Sequence, residues 1–281
     1  EWAISAGLAD LERSGSTTWV LGCHDVVRVA SRYAFDLDAP VPAEETADGA
    51  ACEADCLDGP YERSLSLARR WLAADGDDAR FHYDAAAGRR RAAAGALAVM
   101  ALPGSMYVWQ GDELGLWEVP DIPDERLQDP IARRKRAVEK GRDGCRVPLP
   151  WTSSGSSFGF GADGGAEPHL PQPQWWGWLS VEEQELDSGS FLAVYRRGLA
   201  ARRELVASGV GDELTWVRRE EGVLAFARGP VQSWTAFGAP VELPQGQVLV
   251  SSVPVQERVD DDGRRVRVLP ADATAWIRVP G

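Results

Sequence analysis

The run Thr17 to Arg28, TTWVLGCHDVVR, constrains this chain more than any other stretch. Its first half, Thr-Thr-Trp-Val-Leu, is apolar and β-rich and has the length of a buried strand. Gly22 ends the run, and Cys23, His24 and Asp25 follow at once. Titratable groups at the C-terminal end of a buried parallel strand sit where open α/β sheets and parallel barrels place their sites. Asp25 would then be a hydrogen-bond acceptor and His24 a donor. The plainer alternative is that the two residues cap the following turn, and the pair alone does not decide between these readings.

Two later landmarks do. Arg89 to Leu102 (RRRAAAGALAVMAL) reads as a helix, basic at its start and apolar at its end. After Pro103-Gly104-Ser105 a second short strand, Met106-Tyr107-Val108-Trp109, runs into Gln110-Gly111-Asp112-Glu113-Leu114-Gly115. Farther on stands Gly141-Arg142-Asp143-Gly144-Cys145-Arg146-Val147-Pro148-Leu149-Pro150-Trp151. In this order the three segments resemble the glycoside hydrolases of the α-amylase superfamily (family 13), in particular the α-glucosidase and oligo-1,6-glucosidase branch. There the seventh barrel strand ends in Asn-His-Asp and the eighth carries a Tyr-Gln-Gly-Glu-Glu-type segment. A Gly-Arg-Asp-Gly-x-Arg-x-Pro-x-x-Trp segment follows.

The resemblance implies an α/β fold. It is the C-terminal part of a (β/α)8 TIM barrel, strands 7 and 8 with flanking helices over residues 1–207, followed by a small antiparallel β-sandwich over 208–281. It also implies a parent enzyme that is a retaining α-glucosidase-type hydrolase, acting on α-glucosidic bonds of oligosaccharides or disaccharides without a metal or other cofactor. Asp25 would be the catalytic transition-state stabiliser, bonding the 2- and 3-hydroxyls of the sugar. His24, Arg28 and Arg146 would bind substrate. Cys23 departs from the family's Asn and removes an amide donor and acceptor. Asp112 stands where the family has Glu.

Retaining glycosidases need a nucleophile and an acid/base carboxylate about 5–5.5 Å apart, and in this family both precede the His-Asp strand. The Gly-Phe-Arg-x-Asp type of nucleophile segment occurs nowhere in the sequence. The expectation is therefore a C-terminal half that is inactive alone and, with open sheet edges, prone to aggregate. Two alternatives stay open: a non-catalytic carbohydrate-binding or interaction remnant of the fold, and a transglycosylase or isomerase such as a trehalose synthase or sucrose isomerase.

Forty-three acidic against thirty basic side chains give a net charge of −13, which repels phosphates and anionic lipid. No nucleic-acid or membrane partner is expected, and a cytoplasmic location is. The basic run Arg133 to Arg142 reads as a solvated helix face. Cys52 and Cys56 are open between free thiols, a disulfide and a metal pair. Asp75-Gly76-Asp77-Asp78 lacks calcium-loop spacing and reads as a turn.

Asp112 and Glu113 are neighbours, and on extended chain their side chains point to opposite sides, so the segment reads as structural. Arg142 and Asp143 either pair to stiffen their loop or reach over the sugar pocket. Helices are expected over Glu1–Ser14, Tyr61–Ala74 and Val181–Val206, the last behind an Ser180 cap. Ser31 to Gly59 and Leu116 to Gln128 read as long loops. Twelve tryptophans include Trp175, Trp176 and Trp178, whose faces suit sugar stacking or packing on the barrel's outside. After Gly209, short β-rich runs separated by Gly, Pro and Asp predict the sandwich.

Overall fold

The computed structural model describes residues 2–40, 59–135, 140–260 and 262–280. Helix α1 (Trp2–Ser14) leads into β1 (Thr18–Val20), then α2 (Val29–Arg32), α3 (Pro60–Ala73), α4 (Ala85–Ala101) and β2 (Ser105–Tyr107). Helices α5 (Pro130–Lys135), α6 (Val181–Glu185) and α7 (Phe191–Ala207) follow. Strands β3 (Thr215–Arg218), β4 (Val223–Arg228), β5 (Val231–Ala236) and β6 (Val241–Glu242) come next. The last are β7 (Gln247–Ser251), β8 (Gln256–Val259), β9 (Arg265–Leu269) and β10 (Ala273–Arg278). Cys52 and Cys56 lie outside the described residues.

The chain divides into two compact units, each assembled from separate stretches. The first comprises Glu1–Leu21, Arg90–Val108 and Gln184–Gly281; the second, Gly22–Arg89 and Trp109–Glu183.

In the first unit β1 and β2 pair in parallel, Thr18 with Ser105 through Val20 with Tyr107. The expected burial is not seen, since Val20 is 54% exposed. A parallel strand is buried only when both faces are covered. Here the inward-turned member is Trp19, whose ring closes on Gly7 of α1 and whose Nε1 donates to the Pro103 carbonyl at 2.5 Å. The C-terminal strands form a five-stranded sheet of order β3-β4-β5-β10-β7 and a three-stranded sheet of order β6-β9-β8. Of these, β6 and β8 were not expected from the sequence: one is two residues long, and Gln-Glu-Arg-Val carries no apolar alternation.

Central strand β10 shows why its side chains do not alternate in polarity. Ala273, Ala275 and Ile277 join the core cluster with Val223, Trp234 and Leu269. On its other face Thr274 meets the Thr235 hydroxyl at 2.8 Å, and Trp276, fully buried, donates from Nε1 to the Leu97 carbonyl of α4 at 3.0 Å. Both faces are covered, so both are buried. Helix α7 crosses the same part of α4 at Gly198, where a Cβ would lie 2.5 Å from Leu97 Cδ2 and 2.6 Å from Met100 Sδ.

The expected single helix from Val181 to Val206 is two helices. Asp187-Ser188-Gly189-Ser190 is turn chemistry: Asp187 Oδ1 accepts the Gly189 amide at 2.8 Å, and Ser190 Oγ accepts that of Ala193 at 3.2 Å. The apolar period continues across this break and hides it. Ser180 caps the first helix as expected, its Oγ accepting the Glu183 amide at 3.3 Å.

The second unit has its own core beside α3, with Val27, Phe35, Leu67, Trp71, Leu72 and Phe81 buried together. Trp71 and Tyr83 stack with ring centroids 4.7 Å apart. This core fixes α2, the short helix that follows the His-Asp turn. Among the described residues no helix is long and apolar enough to cross a membrane.

Ser190→Ala removes the cap of α7 together with a 2.7 Å bond to the Gln184 carbonyl. We expect a loss of about 1 kcal/mol, read as a lower urea midpoint at unchanged slope; an unshifted midpoint would refute the cap's role.

Candidate functional site

The site lies in the second unit. Beyond β1 the chain turns at Gly22, where a Cβ would sit 2.7 Å from Asp112 Oδ2, so this position has no room for a side chain. The turn that follows lifts His24 and Asp25 outward; their side chains are 54% and 48% exposed and face each other, Nε2 to Oδ2, at 3.2 Å. The Trp109 ring stands 5.7 Å from that of His24.

Asp25 is oriented by two guanidinium groups from the Gly141–Trp151 segment. Arg142 Nη1 donates to its Oδ1 at 2.7 Å and Arg146 Nη2 to the same oxygen at 3.2 Å. Arg146 Nε also donates to the His24 carbonyl at 2.9 Å, so one planar fork holds both residues of the pair. Arg142 is anchored in turn on Asp129, with Nε donating to Oδ2 at 2.6 Å and its amide to the same oxygen at 2.9 Å. That hydrogen-bonded guanidinium pulls the Asp129 carboxyl down to about 2. Arg142 therefore does not pair with Asp143, which instead accepts the amides of Gln128 and Asp129 at 2.6 and 2.8 Å. The far end of the basic run is not solvated throughout: Lys140 is buried with Nζ on the Pro120 carbonyl at 3.0 Å, while positions 136–139 lie outside the described residues.

Arg28 departs from its expected role. It is 1% exposed, with its guanidinium on backbone carbonyls: Nη1 on Gln110 at 2.9 Å and Nη2 on Cys145 at 2.8 Å. A side chain so enclosed cannot reach a sugar. The Trp109 indole donates to the same Cys145 carbonyl at 2.9 Å. Cys145 is fully buried, and burial pushes its thiol up; Cys23 and Cys145 are both free.

Asp112 and Glu113 lie in a single 3₁₀ turn, Asp112–Leu114, rather than on extended chain, because Gly111 and Gly115 both adopt positive φ (92° and 61°). Glu113 accepts the Gly111 amide at 2.7 Å, and burial raises the Asp112 carboxyl to about 6. Glu113 thus serves the turn, whereas the Asp112 carboxyl lies against Gly22.

Three participants escaped sequence reasoning as site residues: Asp129, Glu118 and Trp109. Asp129 stands in Gln-Asp-Pro and Glu118 in a proline-rich acidic loop, where carboxylates look like solvated loop charge. In the fold each is buried, at 2% and 1% exposure. Among the described residues no three His, Cys, Asp or Glu side chains gather as a metal site. The arrangement offers an exposed, doubly oriented carboxyl group beside an imidazole and an indole, a set suited to hydroxyl groups.

Known proteins resemble parts of this chain. The "Alpha amylase, catalytic domain" family matches residues 67–209. A probable α-glucosidase of Rhizobium meliloti is 38% identical over 130 residues, 46% of this chain and 22% of that protein. A trehalose synthase/amylase, TreS, of Mycobacterium tuberculosis is 31% identical over 159 residues, 52% of this chain and 24% of that protein. The crystal structure of the α-glucosyl transfer enzyme XgtA superposes on 98% of this chain and 43% of its own, with a TM-score of 0.61 and 26% identity. The chain thus spans less than half the length of each. Its architecture is barrel-derived with antiparallel β-sheets, and since the family match alone takes in half of its sequence, this chain belongs to the α-amylase family, glycoside hydrolase family 13.

Proposed function

We propose that this chain is the C-terminal portion of a retaining α-glucosidase-type hydrolase acting on α-glucosidic bonds of small saccharides, and that it supplies the sugar-binding side of the active site. One observation carries the reading: Asp25 is held outward by Arg142 and Arg146 at one carboxylate oxygen, with His24 at the other. In this reading residues 1–207 are the last part of the catalytic barrel, with β1 and β2 as its seventh and eighth strands, and 208–281 a separate β-sandwich. The Gly-Arg-Asp-Gly-Cys-Arg-Val-Pro segment, residues 141–148, supports the α-glucosidase reading over the isomerase one.

Asp25 accepts hydrogen bonds from two neighbouring hydroxyls of the sugar whose glycosidic bond is cut, and His24 donates to one of them. As the leaving group departs, positive charge grows at the anomeric carbon and those hydroxyls become better donors. Their bonds to a fixed carboxylate strengthen, and this is differential stabilisation of the transition state. Arg142 and Arg146 keep Asp25 from reorienting. The nucleophile and the acid/base carboxylate belong to the preceding part of the parent enzyme, so this chain alone hydrolyses nothing.

Maltose added to the chain should shift the His24 imidazole signals saturably, with His82 and His169 as internal controls, and Asp25→Ala should abolish the shift. No saturable response to maltose, trehalose or methyl α-glucoside overturns the reading. In the native polypeptide, whose mass would reveal any preceding half, Asp25→Asn should lower kcat/KM by about 10²- to 10³-fold.

Asp129 also sets a pH dependence. Its folded pKa of about 2 lies below the unfolded value of about 4. Its stabilisation is therefore present above about pH 4 and lost as pH falls toward 2. Wild type should melt above Asp129→Asn at pH 5 to 7 and converge with it near pH 2; parallel melting curves across that range would disprove the pairing energy.

A further inference from the structure

The turn bearing His24 and Asp25 needs an anchor at its downstream end, and that anchor is not a residue which could touch a sugar. Arg28 closes the turn and precedes α2, with extended backbone (φ −52°, ψ 143°). Its amide cannot be satisfied within the helix and is taken by Glu118 Oε2 at 2.8 Å. Glu118 is itself fixed: its amide donates to Ser31 Oγ at 2.8 Å, and Ser31 Oγ lies 3.3 Å from the Tyr83 hydroxyl. Gly144 leaves the space for this carboxyl, because a Cβ there would collide with Glu118 Oε1.

This carboxyl is costly. It is 1% exposed, and its Oε1 has no hydrogen-bond partner among the described residues. The charged groups that face it are Arg28 and Arg32, whose guanidinium groups bond to backbone carbonyls of Gln110, Cys145 and Val27. Tyr83 and the Cys145 thiol complete its titratable surroundings. Burial outweighs the two arginines and pushes Glu118 up to about 7. A half-satisfied buried carboxyl weakens a fold. What it secures is local, the chain direction three residues beyond Asp25.

We infer that Glu118 is a positioning residue of this site: by holding the Arg28 amide it fixes the turn that presents His24 and Asp25, and sugar affinity depends on it without contact. The inference rests on the sugar-binding reading above. Gln keeps the acceptor at this position, whereas Ala removes it.

The test uses the whole chain as wild type, Glu118→Gln and Glu118→Ala, with hydrogen exchange of a peptide covering residues 23–28 and maltose affinity measured side by side. In Glu118→Ala exchange at Arg28 should rise about tenfold, the effect of one lost buried hydrogen bond, while peptides of the α3 core stay protected. Maltose affinity should fall by a similar factor, and Glu118→Gln should restore both. Wild-type affinity should also respond to pH near 7, where Glu118 titrates, and Glu118→Gln should flatten that response. Unchanged exchange in the Ala variant, unchanged affinity despite faster exchange, or loss of protection spread equally over the α3 core each overturn the inference. Should wild type ignore maltose altogether, the sugar-binding reading fails by itself. The exchange arm then still decides whether Glu118 positions the turn.

Discussion

The second unit depends on one guanidinium group. Arg28 is enclosed, and its Nη1 and Nη2 donate to backbone carbonyls on two other segments, Gln110 after β2 and Cys145 in the Gly141–Trp151 stretch. A buried cation with carbonyl partners has few alternative arrangements, because moving it would strand both charge and donors. Three loops distant in sequence are thereby fixed to one another. The exposed pair above inherits that rigidity. Arg142 and Arg146 then orient Asp25 from the side, with Asp129 holding Arg142. The site is a carboxylate at the surface supported by the half-buried Arg142–Asp129 pair and by a buried arginine on backbone carbonyls, the arrangement expected where geometry matters more than stability.

The sequence made the landmarks legible and left their supports hidden. His24, Asp25 and Arg146 could be marked because a titratable pair after an apolar run, and an arginine in a Gly-Arg-Asp-Gly-x-Arg pattern, are local signals. Helices α1 and α3 were readable for the same reason, since their apolar spacing repeats within the helix, and α4 was readable as a basic start running into an apolar, alanine-rich stretch. Arg28 was misjudged because burial is a property of the folded chain, and nothing in His-Asp-Val-Val-Arg says whether the arginine points in or out. Asp129 and Glu118 were invisible on the same ground. Their partners lie 13 and 90 residues away in sequence. The break between α6 and α7 was legible in Asp-Ser-Gly-Ser and was overridden by an apolar period that runs across it. β1 was read as buried from composition alone, whereas burial needs cover on both faces.

Acidic surface charge suits this chemistry. A net charge of −13 neither attracts nor repels a neutral saccharide, so the polar recognition groups can be few and local. The exposed aromatic faces follow the same logic. Trp151, Phe160 and Trp178 are between half and four-fifths exposed, a disposition compatible with sugar C–H faces in contact with solvent.

The way the chain is parcelled between its units governs how it can be made and broken. The first unit draws on three stretches and the second on two, interleaved along the sequence. A single proteolytic cut therefore liberates neither. Neither can be finished by a ribosome before much of the other has emerged, since β1 must wait for β2 and the turn at His24 for Arg142. Long loops must close before their contacts stabilise anything, which slows folding and prolongs exposure of apolar strand. The delay is thus set by the order of the segments rather than by any one of them.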